Sequence, residues 1–240
     1  LPTPEYVIEP KEKKFVCFNK VTRPHRTILL ERMLRADLVK DSFYSFFNFT
    51  TDYENWYNNI DNLNENFYSI KANKQLFPLR LNITEERHNP ADTVQEDFYY
   101  TDNSYFSIVT ETTYNTAYEG WLWDGSLLGK STFFSEKIYK PITMKHPFVL
   151  VSRPNSLKFL REHGFKTFHP IINESYDEIT DGTLRMEAIA NEVERLCSLS
   201  TKEWLEIQVA IKDIVDYNYE VLKNKSEFMS ASDINKLIGE

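Results

Sequence analysis

Four polar residues with an affinity for anions fall close together near the start of the chain: Asn19, Arg23, His25 and Arg26 in the run FVCFNKVTRPHR. Two arginines and a histidine at the start of a helix would add charge-assisted hydrogen bonds to backbone N–H groups that already favour negative charge. A diphosphate is the natural ligand for such a turn, and a solvated basic loop is the alternative. Further along, SYFSIVTE ends an apolar run in Glu111, and FFSEKIYKPI opens a helical pattern with Glu136 and Lys137. A lysine at a helix start opposes the helix dipole, which points to an anionic ligand. Glu136 suits the dipole without any ligand, yet a carboxylate there could accept hydrogen bonds from ribose or sugar hydroxyls. Glu111 just past a strand end would face the ligand crevice of a parallel sheet. Otherwise it is an exposed loop residue.

Other constellations are weaker. Asp177 and Glu178 in the SYDE run lack a second cluster at metal-ligand spacing and read as a solvated acidic loop. His88, His146, His163 and His169 have no partner pattern and read as structural or surface residues. No G-x-G-x-x-G, P-loop, G-x-S-x-G or H-E-x-x-H motif occurs.

These residues need elements to carry them. Short apolar runs predict strands near Phe15–Asn19, Phe43–Phe49, Tyr105–Thr110 and Phe148–Val151. Pro24 marks the first turn of a helix with Ile28, Leu29, Met33 and Leu34 on one face. Glu136 to Met144 predicts a short helix, and Ser156 opens another, with Gly164 as its C-terminal cap. Phe165–Phe168 reads as a last short strand. Two long amphipathic stretches end the chain, the second with Trp204, Leu205, Val209, Ile211, Ile214 and Val215 near helical spacing. Strands alternating with helices predict an α/β fold with a Rossmann-like parallel sheet and a helical C-terminal tail. Residues 1–180 would form the Rossmann-like domain, with 51–100 as an insertion or lid, and 181–240 the helices packed on it.

Composition narrows the function classes. At 240 residues and 41% hydrophobic, the chain can bury a core. Only 6 glycines argue against a glycine-rich dinucleotide fingerprint, and a net charge of −8 disfavours broad nucleic-acid binding. Cys17 and Cys197 read as buried thiols, which fits a reducing compartment such as the cytoplasm. No secretory leader and no membrane-length apolar run is evident, so no membrane partner is expected. The first residue is Leu, so the sequence reads as a processed product or as a piece of something longer.

At these same motifs the chain resembles glycosyltransferases. FFSEKIYKPI followed by HPFVLVS is similar to the fucosyltransferase-type signature, in which an aromatic-Thr-Glu-Lys-Leu run opens a helix before an apolar strand. KKFVCFNKVTRPHRTILLERML resembles the start of the nucleotide-sugar-binding Rossmann domain of GT-B enzymes, their C-terminal domain. With SIVTE, SLKFLREHGFKTF and ESYDEI in order, the stretch from Lys13 to Leu199 resembles a glycosyltransferase family common in phages and large viruses. The resemblance implies a nucleotide-sugar donor, GDP- or UDP-linked, as substrate rather than cofactor, and a glycan or other hydroxyl acceptor. Arg23 and Arg26 would hold the diphosphate with help from Lys137, and Asn19 and His25 would complete that site. Glu136 would contact ribose or the donor sugar, and Glu111 would sit beside it. These two carboxylates are the expected catalytic groups. GT-B enzymes generally need no metal, in keeping with the lack of a D-x-D motif. Ser135 stands where the signature has Thr, and one Rossmann-like domain is evident where GT-B enzymes have two. A second domain or subunit is therefore an expected partner. Two other readings remain: a non-catalytic binding or adaptor subunit, and a glycosyltransferase acting on modified DNA bases.

Overall fold

The computed structural model describes residues 4–19, 23–46, 65–77, 79, 98–114 and 136–227. Four strands form one sheet: β1 (Lys13–Asn19), β2 (Ser42–Phe46), β3 (Ser104–Thr110) and β4 (Phe148–Val151). Their order is β2-β1-β3-β4 and every pairing is parallel. Asn19 pairs with Phe46 and Thr110 with Val151, so the C-terminal strand ends align along one rim. β3 is buried along its whole length, as expected of a central strand covered on both faces. The sequence-predicted strands near residues 15, 105 and 148 all form. The second forms from Ser42, and residues 47–49 of its expected span lie outside the described residues, as does most of 51–97.

Helix α1 (Pro24–Arg35) connects β1 to β2, and α2 (Tyr68–Ala72) packs against it. Helix α3 (Glu136–Thr143) precedes β4, and α4 (Ser156–Glu162) follows it. The chain continues into α5 (Gly182–Ser198) and α6 (Thr201–Glu227). The steps β1 to β2 and β3 to β4 run in opposite directions along the sheet. Right-handed crossovers, the form such units nearly always take, then set α1 and α3 on opposite faces. The packing follows this layout: α5 lies on β1, β4 and α1, whereas α6 packs on α3. Trp204 of α6 is buried and stacks on Tyr105 at 4.7 Å between ring centroids, with its Nε1–H donated to the Leu196 carbonyl at 3.1 Å.

Local rules explain the helix ends. α1, α3 and α4 all close with the same pair of reversed hydrogen bonds: Leu38 N–H to Met33 O, His146 N–H to Pro141 O and Phe165 N–H to Leu160 O are the outer bond of each pair. The residue that turns the chain has positive φ in each case: Asp37 at 58°, Lys145 at 51° and Gly164 at 86°. Gly164 is thus the cap expected from its place in the sequence. Asp181 caps α5 through Thr183 and Leu184 N–H, and Ser200 with Glu203 forms a reciprocal capping box at α6.

Four sequence expectations are corrected. Ile28 of α1 is exposed and Leu30 takes its place in the core, and on α6 Val209 is exposed while Gln208 is buried. Phe165–Phe168 forms no strand, because side chains hold its backbone groups. Asn218 bonds both Lys166 N–H and its carbonyl, and Glu174 accepts from Phe168 N–H at 2.6 Å. Asp177 does not belong to a solvated loop: it is buried and accepts from Leu157 and Lys158 N–H, capping α4.

Candidate functional site

In an open parallel sheet, ligands collect outside the C-terminal strand ends where the connections part in opposite directions. The order β2-β1-β3-β4 puts that point between β1 and β3. The segment after β1 supplies Arg23, His25 and Arg26, and the segment after β3 supplies Glu111.

The two segments are joined by hydrogen bonds. His25 Nε2–H donates to the Glu111 carbonyl at 3.0 Å. Arg26 Nη2 donates to the carbonyls of Thr110 at 3.1 Å and Glu111 at 3.4 Å. Both side chains are buried, because His25 and Arg26 lie in the first turn of α1 on its sheet-facing side. Lys137, one residue into α3, donates from Nζ to Thr112 Oγ1 at 3.4 Å. Thr112 N–H in turn donates to Glu111 Oε2 at 3.3 Å. Asn19, the last residue of β1, is buried and engaged on every side. Its Oδ1 accepts from Thr110 Oγ1 at 2.6 Å, its Nδ2 donates to Cys17 Sγ, and its N–H donates to Ser45 Oγ.

Five of the sequence-predicted residues therefore meet at one end of β3: Asn19, His25, Arg26, Glu111 and Lys137. Arg23, half-buried, stands at the N-cap of α1 without a side-chain cap bond. Its charge is felt by both His25 and Arg26. Glu136 opens α3 beside Lys137 in the chain, and its side chain lies outside the described residues.

Burial and the neighbouring Arg26 and Arg23 charges push the His25 pKa down to about 3, so the ring is neutral at physiological pH. Burial and then Arg23 also lower the pKa of Arg26, which as a guanidinium remains cationic. α1 has no acidic residue in its first turn to offset the positive end of its dipole. Among the described side chains, the β1/β3 rim thus sets Arg23, Arg26 and Lys137 around the Glu111 carboxylate.

Sequence reasoning missed Tyr114 and Arg185. Tyr114 stacks on His25 with ring centroids 5.4 Å apart and donates its hydroxyl to the Gly182 carbonyl at 2.8 Å. The Arg185 guanidinium lies 4.3 Å from the Tyr114 ring centroid. A signal for Arg185 was present. It shares the core stripe of α5 with Ile189, Glu192 and Leu196, where a charge needs a dedicated partner set.

Among the described residues, no group of three or more His, Cys, Asp or Glu side chains is arranged to hold a metal ion. Among the same residues, no helix is long and apolar enough to cross a membrane. No protein-family model, curated protein or solved structure matches the chain. What is shown is a Rossmann-like parallel α/β fold with long C-terminal helices.

Proposed function

We propose that the chain is a glycosyltransferase, transferring a sugar from a GDP- or UDP-linked donor to a hydroxyl acceptor. The observation that carries this reading is the gathering of Arg23, Arg26, Lys137 and Glu111 at the β1/β3 switch point of a 2-1-3-4 parallel sheet. The resemblance of the motifs holding these residues to phage and large-virus glycosyltransferases supports it.

In such a transfer the bond from the sugar to the nucleoside diphosphate breaks, and negative charge grows on the phosphate oxygens. Cations fixed beforehand at a helix start stabilise that charge most as the bond opens. Arg23 and Lys137 stand at the two helix starts that flank the rim, and Arg26 supplies a buried positive charge behind them. An acceptor hydroxyl must also lose its proton. His25 is poorly suited to that role at Nε2, which already donates to Glu111 O. Glu111 and Glu136 remain the carboxylate candidates for sugar contact or proton removal.

Titration calorimetry with UDP and GDP, followed by release of nucleoside diphosphate from a panel of nucleotide sugars, tests the reading. Binding of either nucleotide together with donor turnover is the expected result. A specific observation favours a second reading, a non-catalytic binding subunit: Asn19, His25 and Arg26 are all buried and direct hydrogen bonds inward. Nucleotide binding without turnover of any donor would select it, and no binding at millimolar nucleotide would remove the donor site altogether.

A further inference from the structure

Arg185 is an unusual buried cation. Only 1% of it is exposed, and its guanidinium donates hydrogen bonds to backbone carbonyls of separate segments. Nε donates to Ser152 O at 3.2 Å, just past the end of β4. Nη1 donates to Ile179 O at 2.8 Å and Thr180 O at 3.2 Å, ahead of α5. Nη2 donates to Tyr114 O at 2.6 Å, four residues past β3. The Tyr114 ring lies 4.3 Å from the Arg185 guanidinium and stacks on His25, from the segment after β1.

One side chain thus ties together the segments that leave β3 and β4, and through the Tyr114 ring it reaches the segment that leaves β1. Residues 111–114 are gripped at both ends, with the Glu111 carbonyl held by His25 and Arg26 and the Tyr114 carbonyl held by Arg185. Between these grips lies Thr112, whose hydroxyl receives Lys137 Nζ. We infer that Arg185 is a positioning residue of the nucleotide-diphosphate site: through Tyr114 it fixes the 111–114 segment, and with it the place of Lys137 against the β3 end. The inference rests on the donor-site reading above. A planar guanidinium suits the task, since it offers several donors in a fixed fork, whereas lysine offers one point charge.

The test is a double-mutant cycle, Arg185→Met against Lys137→Ala, read as UDP and GDP affinity by calorimetry with circular dichroism on each variant. Positioning predicts that each single change weakens binding about tenfold and that the double variant is little worse than either, because both remove the same cation–phosphate contact. A merely structural arginine would lower the unfolding temperature and leave affinity within about twofold, or give additive losses. Either outcome overturns the inference while leaving the donor site standing. Should Arg185→Met fail to fold, Tyr114→Leu takes its place in the same cycle, since it removes the stacked ring and keeps the arginine, with the same losses expected and the same results overturning. Absence of UDP and GDP binding by the wild type would overturn both the donor-site reading and the role of Arg185.

Discussion

The Glu111 carbonyl accepts the Nε2–H of His25 at 3.0 Å, across 86 positions of sequence. This bond closes the gap between the segments that follow β1 and β3, and the ring that makes it is held neutral by burial and by the Arg26 and Arg23 charges beside it. Protonating the ring would add a third positive charge beside Arg26 and Arg23, without water to solvate it.

That geometry predicts an acid-sensitive fold. The His25 pKa is about 3 in the folded chain against about 6.5 when unfolded. Between these values the unfolded state binds more protons, so stability is full above about pH 6.5 and is lost as pH falls toward 3. His146, buried between Ser107 and Ser104 and lowered to about 4 by burial, adds a slope of the same sign. Glu174 and Asp177, raised by burial, tilt the other way. Urea unfolding at pH 7 and pH 4.5 should show a loss on the order of a few kcal/mol attributable to each histidine. His25→Gln, which keeps an N–H donor and cannot titrate, should make the loss visibly smaller. An unchanged pH slope in that variant would mean that His25 is not buried neutral.

Arg26 and Lys137 should separate in their effects. Arg26 is buried and serves two carbonyls, so Arg26→Ala strands them and should cost about 1–3 kcal/mol of stability. Lys137 is half-buried with a long contact to Thr112, so Lys137→Ala should leave the unfolding temperature nearly unchanged. It should still weaken nucleoside-diphosphate binding by about one decade. Thermal unfolding and calorimetry on both variants check the split. A stable Arg26→Ala protein would show the arginine to be a surface group.

Much of this arrangement was legible in the residues. Pro24, Gly164 and the four apolar runs mark elements that form where their local chemistry requires. The meeting of His25, Arg26 and Glu111 followed from where strand ends fall in a parallel sheet. Local pattern did not disclose which polar residues go inside. Asp177 reads as part of an acidic loop, yet it is buried because the start of α4 lacks a cap of its own: Asn155, at the N-cap, makes no side-chain bond there. Arg185 stands in the core stripe of α5, yet the Ser152 and Tyr114 carbonyls that accept its hydrogen bonds lie 33 and 71 positions away. Those partners come from tertiary contacts that no sequence window contains.

The turn after α1 offers a stabilising change. Asp37 holds φ at 58°, a conformation that costs a residue with a Cβ on the order of 1 kcal/mol. Its ion pair with Lys40 lies between two exposed side chains and contributes little. Asp37→Gly should therefore raise stability by roughly 0.5–1 kcal/mol, with glycine's larger unfolded-state entropy setting the lower end. Denaturant titration of the variant decides it, and a loss of stability would mean that the Asp37 side chain contributes more than its exposed geometry implies.

Adjacent residues of α6 give the sharpest contrast between hydrophobicity and burial. Gln208 is buried and bonds the Glu9 backbone twice, its Oε1 accepting from Glu9 N–H at 2.9 Å and its Nε2 donating to Glu9 O at 3.1 Å. This pairing mimics one rung of a strand ladder and fastens the lead-in before β1 to α6. Val209 is 62% exposed on the opposite side. Removing the amide loses both of these part-buried bonds, each worth roughly 0.5–1.5 kcal/mol, so Gln208→Ala should cost about 1–3 kcal/mol. Val209→Ser should change stability by no more than about 0.5 kcal/mol, as surface substitutions usually do. The expected order is opposite to that of a hydropathy argument, in which the valine matters and the glutamine does not. Urea midpoints for the two variants, with hydrogen exchange at the Glu9 amide, measure it directly. Faster exchange at Glu9 in Gln208→Ala alone is the expected result. Equal destabilisation by both variants would place Val209 in a packed interface.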